Sequence, residues 1–170
     1  MQHLSKNNRH SRNPALSLGL GPLVGGTFLW SDAMALAMGT SELYWLDSEI
    51  NRFVPLVALY AFGGFCAFPI SALIADKLSA GKMAQIRFSA VFVSLSVFTL
   101  GCTALFFAIC FLYANDYFNV WHHGRHWPLN VTISGVSAVY QFLVMGARFF
   151  FPLGIVFLFV GSIWLARALR

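Results

Sequence analysis

Few side chains in this sequence offer any chemistry beyond packing. Asp32 is the carboxylate that falls inside an apolar run, and Arg148 is the cation that falls inside another. A charge surrounded by lipid is costly, so such groups pair, line a wet cavity or turn into a helix bundle. Counted from Ala15, Asp32 comes about 18 residues along, near the outer boundary of its run. Arg148 opens the last apolar stretch at what should be the same boundary. The two are expected to form an intramembrane ion pair between the first and last helices. Snorkelling of Arg148 to the interface is the alternative.

A second group lies in Trp121-His-His-Gly-Arg-His-Trp127. His122 and His126 have the i, i+4 spacing that shares a metal ion on a helix. Gly124 and Pro128 oppose a helix there, and no Glu follows the first histidine as it does in metalloproteases. The segment is therefore read as a membrane-surface loop with no metal. Its histidines would gain charge below about pH 6.5. All five histidines lie outside the apolar runs, so a membrane haem has no axial ligand. Cys66, Cys102 and Cys110 each sit within an apolar run and form no CxxC pair, which leaves neither a disulfide framework nor a zinc site. No HExxH, GxSxG or Walker pattern occurs. The expectation is a non-enzymatic protein without cofactor or metal.

Weaker patterns point to contacts between helices. Asn130, Ser134, Ser137, Gln141 and Arg148 step by 4, 3, 4 and 7, which places them on one helical face. On so apolar a helix, that stripe marks an outer part lying at the water interface, a face turned to a partner, or the wall of a solute path. Gly21 and Gly25 form a GxxxG, and Gly63 and Ala67 a small-xxx-small pair. Ser89, Ser96, Thr103 and Cys110 recur every seven residues. Small residues let membrane helices approach closely and hydroxyls bond across the contact, so all of these read as helix packing.

The elements that carry these residues follow from hydropathy. The chain has 170 residues, 58% hydrophobic and 10% charged, against about 25% charged in soluble domains. Val54–Ala75, Phe88–Ala114 and Phe149–Ala166 hold 22, 27 and 18 residues without a charge. A helix needs roughly 20 apolar residues to cross a bilayer core. Continuous runs argue for helices, because a membrane β-barrel shows alternating segments of about ten residues. The fold expected is all-α, a polytopic bundle of four transmembrane helices over 15–38, 53–75, 88–114 and 131–166. These form one membrane domain, 15–170, after a basic cytoplasmic segment, 1–14. That basic start followed by an apolar run imitates a secretory signal peptide. Its glycine content favours a retained first helix.

Val131–Ala166 is 36 residues with one charge, Arg148. A straight helix of that length would reach about 54 Å, well beyond the bilayer core. It is expected to be long and kinked near Arg148 and Pro152, with a fifth helix beginning there as the alternative. The N-terminal segment, the 76–87 loop and the C-terminus together carry eight Lys and Arg, against two in the 39–53 and 115–130 loops. Cytoplasmic loops are enriched in these residues, so both termini should be cytoplasmic. The net charge of +5 then reports orientation and anionic lipid rather than nucleic acid.

The expected role is a subunit or accessory factor of a larger complex in a bacterial inner membrane. Its partners would be membrane lipids and other membrane subunits, or further copies of itself. A small oligomeric transporter or channel is the alternative, and a membrane-embedded immunity or inhibitor protein a further one.

Overall fold

The computed structural model describes residues 19–44, 50–114 and 127–169, and every regular element among them is helical. α1 spans Leu20–Tyr44, α2 Ile50–Ser79 and α3 Ala84–Ala114. α4 spans Trp127–Gln141 and passes into a π-helical turn, Phe142–Gly146, and then a 3-10 turn, Ala147–Phe150. α5 covers Leu153–Ala168. Three stretches are long and apolar enough to cross a membrane, Val54–Ser79, Ala84–Ala114 and Pro128–Gly146, which fits an integral membrane protein. The basic segment 1–14 and the histidine loop with His122, His123 and His126 lie outside the described residues.

The helices overrun the apolar runs. α2 continues through Asp76 and Lys77, and α3 starts at Ala84 and includes Arg87, so the expected 76–87 loop shrinks to a tight reversal. Gly81 makes that reversal with φ of 71°, a conformation open to a residue without Cβ, and Lys82 N–H donates to Ser79 O at 3.0 Å. α1 begins at Leu20, with Pro22 in its first turn, where its missing N–H costs nothing. Pro55 and Pro69 both lie inside α2. Membrane helices tolerate such prolines because neighbouring groups satisfy the freed backbone.

The stretch expected as one helix over 131–166 changes its winding in the middle. Ala147 N–H reaches back to Phe142 O, which closes the wider π turn. Phe151 then takes extended angles, φ −97° and ψ 135°. Proline disfavours helical angles in the residue before it, so Pro152 ends one helix and caps the next.

α2 to α4 each pack antiparallel to the helix before them. α1 runs against α2, with Ser31 Oγ donating to Ala61 O at 2.9 Å. The path from α4 to α5 descends along α3: Gly135 lies near Leu112, Phe142 against Phe107, and Gly161 near Leu95. Two clusters fill the interior. One joins Trp30, Met34, Phe68, Ala72, Ala75, Val91, Leu95, Leu165 and Leu169, and the other Met38, Tyr60, Ala104 and Phe142. Lipid is as apolar as these side chains, so the bundle gains from close packing rather than from escape from water.

Candidate functional site

Trp30 is the hub of the bundle. It is 4% exposed, and its Nε1–H donates to Thr99 Oγ1 at 3.1 Å, across 69 residues of chain. Thr99 is the middle residue of the 31-residue α3, so this bond ties α1 to α3 at mid-height. An indole N–H shielded from water needs such an acceptor. Gly161 of α5 gives the ring room, because a Cβ there would meet Trp30 Cζ3 at 2.6 Å. Gly64 of α2 does the same for Met34, with a Cβ falling 2.9 Å from Met34 Cγ.

Two open grooves of about 240 Å³ each meet at Trp30. The first lies between α1, α3, the rewound turn and the start of α5, bordered by Met34, Ser96, Thr99, Phe150 and Leu158. The second lies between α1, α2 and α5, bordered by Ala33, Phe68, Phe157 and Trp164. Both linings are apolar apart from Ser96 and Thr99, and neither holds a titratable side chain. Ser96 Oγ is committed to Phe92 O at 2.7 Å and Thr99 to Trp30. Such walls suit an acyl chain or an apolar side chain rather than a reacting group.

The rewound turn is pinned from two helices. Tyr60 Oη donates to Gly146 O at 2.8 Å, in a buried contact 86 residues apart in sequence. The Tyr60 ring packs on Phe150 at 5.1 Å and on Phe142 at 6.0 Å between centroids. Ser41 Oγ donates to Ala37 O at 2.9 Å and lies 3.3 Å from Phe151 O. A π turn leaves backbone groups that an α-helix would satisfy, and these frequently mark functional positions. Nothing in the sequence pointed to Tyr60 or Trp30.

The structure separates Asp32 and Arg148. Asp32 is the middle residue of the 25-residue α1, not a residue near its outer end. Trp30 and Met34 are buried, and Asp32 lies roughly 160° round the helix from each, exposed on the outer side. Arg148, also exposed, belongs to the turn held at the Met38–Ser41 level of α1. That is six to nine residues, or roughly 9–13 Å, further along the axis than Asp32. The apolar run starts at Ala15, but α1 spans Leu20–Tyr44, so Asp32 falls at the centre of the helix.

The small-residue motifs divide. Gly63 and Ala67 are buried, and a Cβ at Gly63 would lie 2.9 Å from Thr103 Cα, so α2 and α3 touch backbone to side chain there. Gly21 and Gly25 are exposed, and a Cβ at either would meet nothing within 4 Å. The close approach of α1 is made instead at Gly26, against Phe68 and Trp164. Of the residues at sevens, Thr103 is buried and Ser96 half-buried, whereas Ser89 and Cys110 are exposed. A repeat of seven drifts about 20° per step on a straight helix, enough to carry its ends off the contact. On α4, Asn130, Ser137 and Gln141 are exposed and Ser134 half-buried.

No protein-family model matches this chain, and neither a curated protein nor a solved structure does.

Proposed function

We propose that this chain is a non-enzymatic, four-crossing protein of a bacterial inner membrane, with both termini cytoplasmic. In this reading it serves as a subunit or accessory factor of a larger membrane assembly. The observation that carries the reading is the exposure of α4. The Pro128–Gly146 stretch is apolar enough to cross a membrane, yet 17% of it is buried inside the bundle, against 39% for Val54–Ser79 and 33% for Ala84–Ala114. Its exposed side carries Asn130, Ser137 and Gln141. Lipid cannot hydrogen-bond an amide or hydroxyl, whereas a neighbouring helix can. The outer face of α4 is therefore the surface through which the chain joins its partner.

The crossing count rests on packing. α1 is diluted by glycine, Ser31 and Asp32, yet it lies along α2 from the Gly26–Phe68 contact to the Met38–Tyr60 cluster and so shares its depth. α4, the rewound turn and α5 follow α3 in one direction and make one bent crossing. Four crossings return the C-terminus to the side of the N-terminus, as the distribution of Lys and Arg requires.

Purification in mild detergent tests the assembly role. A stoichiometric foreign subunit, lost when Ser137 and Gln141 are both changed to Leu, is expected. A pure homo-oligomer that conducts solute in liposomes would replace this reading with the channel. A monomer that protects cells from a pore-forming toxin would replace it with the immunity protein. Reporter tags on the two termini check the orientation, and an external signal from either refutes it.

A further inference from the structure

The outward side of α1 is a second surface, away from α4. Gly21, Gly25, Phe28, Asp32 and Leu36 step by 4, 3, 4 and 4, which makes a single stripe, and all five are exposed. The two glycines open on empty space, so a helix laid along this stripe approaches closely at one end. Asp32 stands at the centre of α1, next to Ser31, whose hydroxyl bonds Ala61 O, and two residues from Trp30, bonded to the centre of α3. Among the described residues no hydrogen bond or ion pair reaches the Asp32 carboxylate. We propose that this face docks a transmembrane helix of another protein that carries a Lys or Arg at mid-membrane depth. The proposal rests on the reading that α1 crosses the membrane, and it does not depend on α4.

Charge and depth select that occupant. A carboxylate at mid-height on the lipid side of a bundle is costly, and a cation brought alongside removes the cost. Among the described residues the chain supplies no such cation at this level. Lys77, Lys82, Arg87 and Arg167 lie where α2 ends, α3 begins and α5 ends, and Arg148 lies at the Met38–Ser41 level. A second copy related by an axis along the membrane normal keeps every residue at its own depth. It would meet Asp32 with Asp32, like charge against like. A foreign helix with a central basic residue satisfies both the charge and the open glycines.

The test uses the full-length chain in phosphatidylcholine vesicles with labelled single-span Leu/Ala peptides that carry Lys, Leu or Glu at the centre. Energy transfer reads association. The Lys peptide should bind about tenfold more tightly than the Leu peptide, the scale of one interhelical polar contact. Asp32→Leu should abolish that preference, Gly25→Leu should weaken binding of the Lys peptide, and Asp32→Lys should transfer the preference to the Glu peptide. Equal binding of Lys and Leu peptides overturns the proposal, as does self-association of the chain that Asp32→Leu abolishes. A cysteine at position 32 distinguishes the underlying reading. If a membrane-impermeant maleimide labels Asp32→Cys in intact vesicles, in a chain whose Cys66, Cys102 and Cys110 are all changed to Ala, α1 is not at mid-membrane and both fall. If it stays protected while the peptides bind alike, the docking proposal alone falls.

Discussion

Gly63→Ala and Gly21→Ala are the same chemical change in two glycines that both belong to small-residue motifs, and they should shift stability in opposite directions. At Gly63 the added Cβ would lie 2.9 Å from both Cα and Cβ of Thr103. Carbon contacts are best at about 3.5–4.0 Å, so α2 and α3 must part there by roughly 0.5–1 Å. The Cα belongs to the backbone and cannot swing aside as a side-chain tip would. Overpacking of this kind costs about 1–3 kcal/mol. Alanine recovers about 0.5–1 kcal/mol of helix propensity over glycine, which leaves a net loss of up to about 2.5 kcal/mol. At Gly21 only the propensity gain applies, because a Cβ there meets nothing within 4 Å. SDS-driven unfolding of the purified chain in detergent micelles, followed by tryptophan fluorescence, measures both variants. Gly63→Ala should unfold at a lower SDS fraction than the parent, and Gly21→Ala at the same or a higher one. Thr103→Ala should rescue Gly63→Ala only in part, since it leaves the Cα in place. A Gly63→Ala protein at least as stable as the parent would refute the contact, and full rescue by Thr103→Ala would show that the side chain alone was in the way.

Two further substitutions probe the polar interior. Tyr60→Phe removes the 2.8 Å bond to Gly146 O and should cost about 0.6 kcal/mol, the mean for hydrogen bonds between membrane helices, and at most about 1.7 kcal/mol. Hydrogen exchange should quicken across Phe142–Phe150, and unchanged exchange there would mean that the hydroxyl does not hold the turn. Ser162→Ala runs the other way: Ser162 is fully buried and its hydroxyl oxygen has no partner among the described residues, so its removal should be neutral or stabilise by up to about 1 kcal/mol. A clear loss of SDS resistance would reveal a bond that the hydroxyl makes in the membrane.

The helical membrane architecture was legible because lipid makes a demand on each segment separately. Every backbone group must be satisfied within its own helix, so apolar runs disclose α2 and α3 without knowledge of their neighbours. Pro152 marks a disturbance of the winding, expected as a kink within one long helix; the structure ends the helix there, with Phe151 in extended angles. The direction each residue faces was not legible. α1 and α3 are apolar nearly all round, so no polar stripe says which side turns inward. The Gly21–Gly25 motif and the Gly63–Ala67 motif look alike in sequence, and only the first is left open. The hub at Trp30 and the clamp at Tyr60 join residues 69 and 86 positions apart, beyond the reach of any local pattern.

The amino-acid sequence by itself determined that this chain is helical, where α2 and α3 run and that the winding of the last apolar stretch is disturbed near Pro152. Tertiary packing decided that Asp32 stands at mid-height facing outward, that Arg148 lies on another level, and that Trp30 and Thr99 meet at the centre. Burial in lipid constrains a segment's composition and length, but its rotation is set only when other helices press against it.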